Sequence, residues 1–130
     1  LKELDPEMVG IGPFIAHKDT PFCNERSGTL DDTLFYLALL RLMLPNVLLP
    51  ATTALGTIHP RGREMGVLSG ANVVMPNLSP VSVRKKYMLY DGKICTGDEA
   101  AECRMCLSRR MERIGCEVVT DRGDYKKRLA

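Results

Sequence analysis

Apolar and polar positions fall into blocks along the chain. Residues 7–15 form a short apolar run bounded by polar residues, the pattern of a strand buried in a parallel sheet. Gly10 and Gly12 remove side chains where a neighbour must come close. Pro13 has no N–H to give to a ladder, so the strand is predicted to end there. The polar residues 16–28 read as a loop. Thr29, followed by Asp31 and Asp32, predicts a helix start: the hydroxyl can cap free N–H groups and the aspartates suit the positive end of the helix dipole. Positions 34–44 are apolar apart from Arg41, so that helix is expected to be buried on most sides. Pro45 should stop it, because the residue before a proline avoids helical dihedrals.

The pattern then repeats. Residues 47–54 predict a second strand, with Pro50 tolerated near its start, and Gly56-Thr57 predicts a loop. Residues 60–69 predict a short helix closed by Gly70 as a C-terminal cap. Residues 71–75 predict a third strand, broken by Pro76-Asn77. Strand, helix, strand, helix, strand argues for an α/β fold with a parallel sheet covered by helices. After Pro80 the character changes. Residues 83–90 are basic and aromatic and predict a short helix that would put Tyr87 and Tyr90 on one face. Asp91-Gly92 is a turn signal, residues 98–114 have helical composition with Asp98 as a candidate cap, and the tail from 121 to 130 is polar.

Length and charge narrow the picture. The chain has 130 residues, enough for one ordinary domain, and 45% hydrophobic with 26% charged residues is a globular balance. A net charge of +2 gives no argument for nucleic acid or for an anionic membrane. No apolar run approaches a membrane span; the longest, 34–44, is interrupted by Arg41. No secretory leader is visible, so a cytoplasmic location with reduced thiols is expected. The chain opens on Leu1, and Lys2, Glu3 and Asp5 lead straight into the first strand, like the interior of a longer protein. Three parallel strands would leave two bare edges, so the missing strands are expected on the N-terminal side.

Candidate chemistry centres on cysteine. Of five cysteines, Cys23 and Cys116 stand apart as ordinary thiols, while Cys95, Cys103 and Cys106 are clustered as Cys-x7-Cys-x2-Cys. Soft thiolates select iron–sulfur clusters, zinc or copper(I). Structural zinc normally takes four protein ligands. Three thiolates with an open position suit an iron–sulfur cluster better, and unligated thiols remain the other alternative. Lys85, Lys86, Lys93, Arg104 and Arg109 surround the cysteines and would favour thiolates or an anionic cluster, or form a solvated face. The carboxyl ends of the predicted strands, where ligands sit in such sheets, carry Pro13, Thr52-Thr53 and Met75-Pro76-Asn77. One of the adjacent threonine hydroxyls could face a cavity and bind an anion; threonine is also an ordinary strand residue. His17 could line a pocket, His59 has no assigned role, and there is no nucleophile elbow, phosphate loop or histidine-rich metal motif.

Several stretches together resemble the HydE family of [FeFe]-hydrogenase maturases, within the biotin synthase-like radical S-adenosylmethionine enzymes. Met8-Val9-Gly10-Ile11-Gly12-Pro13-Phe14-Ile15, followed by His17, Asp19, Thr20 and Pro21, resembles its sixth barrel strand and loop. Leu40-Arg41-Leu42-Met43-Leu44-Pro45 resembles the sixth helix and Pro50-Ala51-Thr52-Thr53-Ala54-Leu55-Gly56-Thr57 the seventh strand. Gly70-Ala71-Asn72-Val73-Val74-Met75-Pro76-Asn77 resembles the eighth strand, and Tyr87, Tyr90, Lys93, Ile94 and Cys95 lead into the cysteine cluster in the same way. The resemblance implies a TIM-type (β/α)8 barrel, of which residues 1–78 hold the last three strands and residues 79–130 a cysteine-bearing helical extension. It implies S-adenosylmethionine and a [4Fe-4S] cluster in the complete enzyme, acting on a small-molecule or iron-complex substrate, with other hydrogenase maturases as partners. Met8, Pro13 and Ile15 match positions near the adenosyl group. Thr52, Thr53, Met75 and Tyr87 match the substrate cavity wall, and Cys95, Cys103 and Cys106 the ligands of an auxiliary [2Fe-2S] or [4Fe-4S] cluster. The Cys-x3-Cys-x2-Cys loop of the catalytic cluster is absent from this sequence, so the chain by itself is expected to lack radical activity. Biotin synthase-like or methylornithine synthase-like enzymes, and a non-catalytic iron–sulfur domain, are the competing expectations.

Overall fold

The computed structural model describes residues 1–84, 86–94, 100–119 and 123–125, and of residues 100–103 the backbone alone. Among these, five helices and two short strands follow one another: α1 (Leu30–Met43), β1 (Pro50–Ala51), α2 (Thr53–Ile58), α3 (Gly62–Leu68), β2 (Val73–Val74), α4 (Val81–Arg84) and α5 (Ala100–Glu112). The fold is a mixture of helix and parallel strand, as the alternating pattern predicts.

Three extended segments lie side by side in chain order. Pro50 and Ala51 pair with Val73 and Val74 in parallel register, and Met8 forms a parallel bridge with Leu48. The bridge is held by Val9 N–H donating to Leu48 O at 3.0 Å and Leu48 N–H donating to Glu7 O at 2.9 Å. The order and direction match the expected sheet, but the strands are much shorter than predicted. Residues 7–15 give a single bridge, because the glycines and Pro13 after Val9 supply neither side-chain packing nor a proline donor. The strand expected over 47–54 ends at Ala51.

Thr52 turns the chain. It is the N-cap of α2, with φ −70° and ψ 158°, so Gly56 and Thr57 lie in a helix where a loop was expected. Leu55 drives this turn inward and is fully buried. Gly62 lets α3 cross directly over it: a Cβ there would lie 2.0 Å from Leu55 O. Gly70 closes α3 as expected, at φ +120°, a conformation that side chains rarely adopt. Arg41 Nε donates to its carbonyl at 2.9 Å, tying α1 to the start of the third segment.

The core is one aliphatic cluster in which Leu37 and Leu40 of α1 meet Val47, Leu49, Ala51, Leu55 and Ala71. Thr29 caps α1 through its Oγ1, which accepts from Asp32 N at 3.1 Å. The expectation that α1 is buried on most sides is not met. Phe35, Tyr36, Leu39, Leu42 and Met43 are all exposed, since the described chain packs against one face of the helix only. Two elements of the C-terminal part also differ. The helix expected over 83–90 is α4, four residues long. It ends in tight turns, with Lys86 N–H donating to Val83 O and Tyr87 N–H to Arg84 O, so Tyr87 and Tyr90 do not share a helical face. The Asp91-Gly92 turn forms, with Gly92 at φ +69°. Helix α5 begins at Ala100; Asp98, its predicted cap, and residues 121–122 and 126–130 of the polar tail 121–130 lie outside the described residues.

Candidate functional site

The residues after β1 and β2 converge. Thr53 opens α2, Met75 and Asn77 follow β2, and Tyr87 and Lys93 come from the segment beyond α4; together with Arg63 of α3 they line a cavity of about 170 Å³. Three of the four predicted cavity residues, Thr53, Met75 and Tyr87, are therefore brought together. Thr52 is not. Its side chain lies against the backbone of Gly12, where a Cβ would be 2.8 Å from the threonine Oγ1, and that buried hydroxyl has no hydrogen-bond partner among the described residues.

Two cations stand on the cavity wall, and no carboxylate among the described residues does. Arg63 is only 4% exposed. Lys93 Nζ donates to Tyr87 O at 3.0 Å and stands 4.6 Å from the centroid of the Tyr87 ring, a cation–π geometry that fixes both side chains. The floor of the cavity is held by a second buried arginine. Arg84 donates through Nε to Ser79 O at 2.8 Å and through Nη2 to Asn77 O at 3.1 Å. A small cavity with an apolar wall and a few cationic and hydroxyl groups can hold an electronegative ligand.

The residues expected near an adenosyl group are spread apart. Met8 lines a larger cleft of about 630 Å³ with Val74, Met111 and Val118. Pro13 lines a different one, of about 480 Å³, along α1. Ile15 is half-buried and lines neither. His17 Nδ1 accepts from Asp19 N at 3.1 Å, within a loop tied to the Asp91 turn through Asp91 N–H donating to Ala16 O at 3.2 Å.

The cysteine cluster is described in part. Cys95 lies outside the described residues, and Cys103 and Cys106 stand three positions apart along α5. The Cys106 thiol is free and exposed. Cys23 is likewise free and exposed, and Cys116, with Sγ 3.9 Å from Ile114 O, is half-buried. Among the described residues no three metal-ligating side chains meet. Helix α5 is seated by Leu107 and Met111, both almost fully buried, and by an ion pair. Arg110 donates to Glu64 through Nε at 2.7 Å and Nη2 at 2.5 Å, and also to Pro60 O. Burial alone would raise the Glu64 carboxyl, but the hydrogen bonds from Arg110 and the charges of Arg110 and Arg63 hold it below its ordinary value.

Arg63 escaped the sequence reading, because an arginine in a short helix looks like part of a solvated face. Only the approach of residues 53, 75–77 and 87–94 encloses it. No helix among the described residues is long and apolar enough to cross a membrane.

No protein-family model matches the chain. The chain is 48% identical over 127 residues to the [FeFe] hydrogenase maturase subunit HydE of Thermotoga maritima. The match takes in 98% of this chain and 36% of that relative, so the chain spans about a third of the relative's length. The identity supports the resemblance read in the sequence, with this chain as a C-terminal portion of a HydE-type protein.

Proposed function

We propose, taking the chain as the C-terminal portion of a HydE-type maturase, that it supplies the last three strands of a radical S-adenosylmethionine barrel and one wall of its substrate cavity. The observation that carries the cavity reading is the meeting of Thr53, Met75 and Tyr87, from three separate segments, on one small cavity. In the complete enzyme, S-adenosylmethionine and a [4Fe-4S] cluster supply radical chemistry on a small-molecule or iron-complex substrate of hydrogenase active-site assembly. This sequence has no Cys-x3-Cys-x2-Cys loop, so its own residues hold no part of that cluster.

What these residues contribute is binding. The Thr53 hydroxyl and the Asn77 amide offer hydrogen bonds, Arg63 and Lys93 favour negative charge, and Met75 with Tyr87 offers apolar surface to the ligand. The extended segment that carries Met8, Pro13 and Ile15 is assigned to the adenosyl side of the complete barrel. The cysteine-bearing segment beyond residue 78 carries an auxiliary iron–sulfur site at Cys95, Cys103 and Cys106. The donor set fits such a group: three soft thiolates, two of them one helical turn apart on α5, leave an open coordination position. Other hydrogenase maturases are the expected partners.

The test uses the full-length protein. Thr53→Val should abolish substrate-dependent formation of 5′-deoxyadenosine; unchanged turnover would remove Thr53 from the cavity reading. Serine at positions 95, 103 and 106 together should lower bound iron, whereas serine at 23 and 116 should not. Equal iron content in both would reject the auxiliary site.

A further inference from the structure

One face of α5 carries a row of basic side chains that the cavity does not use. Cys106, Arg109 and Arg110 of α5 and Arg113, in the turn that continues it through Arg113 N–H donating to Arg109 O, recur at intervals of three and four, which places them along one side. Pro60, Arg61 and Glu64 face them across an open groove of about 400 Å³. Arg110 is engaged by Glu64 and the Pro60 carbonyl. No carboxylate among the described residues pairs with Arg61, Arg109 or Arg113, and Arg61, Arg109 and Arg113 are exposed. The whole chain carries a net charge of only +2. Four arginines against one glutamate therefore concentrate its basic excess in this groove.

We propose that this arginine-lined groove is a docking site for a carboxylate-rich segment of a partner protein. Three features select that occupant over a small ion. The free guanidinium groups do not converge on a point: Arg109 and Arg113 are separated by a rise of about 6 Å along the helix, and Arg61 stands on the opposite wall. The groove is open along its length, as a chain segment requires. All of its cations are arginine, whose planar fork takes carboxylates in pairs of hydrogen bonds and which is enriched in protein interfaces. A row of such charges also speeds encounter with an acidic surface. The inference is independent of the cavity reading.

The test is binding of fluorescein-labelled poly-glutamate to the full-length protein, followed by fluorescence anisotropy. Affinity should fall as ionic strength rises from about 0.01 M to about 0.15 M, where the screening length shrinks from roughly 30 Å to 8 Å. The triple variant Arg61→Glu, Arg109→Glu and Arg113→Glu should lose at least about tenfold in affinity. A variant with the same change in net charge away from the groove, Lys2→Glu, Lys18→Glu and Arg26→Glu, should bind within about twofold of the wild type. Arg113→Glu alone, at an exposed turn, should weaken binding in the same direction should the triple variant fail to fold. Equal losses in the two triple variants would reduce the effect to net charge and overturn the proposal. No loss in the groove variant would overturn it as well. Binding of inorganic phosphate with none of poly-glutamate would also overturn it, in favour of a small-ion site.

Discussion

Removing Arg110 should release α5 from the rest of the protein. Glu64 is 7% exposed and receives both Arg110 hydrogen bonds, at 2.7 and 2.5 Å. Exposed ion pairs contribute about 0–1 kcal/mol, and breaking a fully buried one costs about 3–5 kcal/mol. The Arg110 side chain is 20% exposed, which places this pair between the limits, at about 2–3 kcal/mol for Arg110→Gln. Because α5 is a single docked helix, the cost should appear as local opening. Amide exchange at Leu107 and Met111 should therefore speed up by roughly 30- to 150-fold, at 1.4 kcal/mol per tenfold. The assay is hydrogen exchange with mass spectrometry on the full-length protein, in Arg110→Gln, Glu64→Gln and the double variant. If the two single effects simply add, or if exchange in α5 is unchanged, the pair does not anchor the helix. The pH dependence has a definite sign. The Glu64 carboxyl is held below its unfolded value, so the ionised form is the one that stabilises. Its contribution is complete above an unfolded pKa of about 4.3 and is lost as the pH falls through the folded value. Protection of α5 should drop in that acidic range in the wild type and much less in Glu64→Gln.

Gly62→Ala should be severely destabilising, because its Cβ would sit 2.0 Å from Leu55 O and backbone must move; a thermal melt within a degree or two of the wild type would refute this. Leu55→Ala should cost about 2–5 kcal/mol, since the side chain is fully buried in the core cluster, and is checked by denaturant unfolding. Thr29→Ala removes the cap of α1 and should cost about 1 kcal/mol, with Thr29→Ser close to neutral; equal melting of the two variants would reject the cap. Arg84→Met should free the Ser79 and Asn77 carbonyls and loosen the cavity floor, read as faster amide exchange over 77–80.

The sequence by itself determined the local events whose causes are local. Thr29 and its two aspartates start α1, Pro45 ends it, Gly70 closes α3 and Asp91-Gly92 turns the chain, each through its own backbone chemistry. The chain order of helix and parallel strand was legible for the same reason. Tertiary structure decided the rest. Strand length depends on which neighbours supply partners, and so Met8 forms one bridge where a strand running from residue 7 to Pro13 was expected. Thr52 and Thr53 look equivalent in sequence, but Leu55 pulls the next turn into the core, so one threonine meets Gly12 and the other meets the cavity. Burial of charge was the least legible of all. Nothing in the local sequence marks Arg63, Glu64 and Arg84 for burial. They become buried only when segments distant in sequence close over them, and no local pattern encodes that approach.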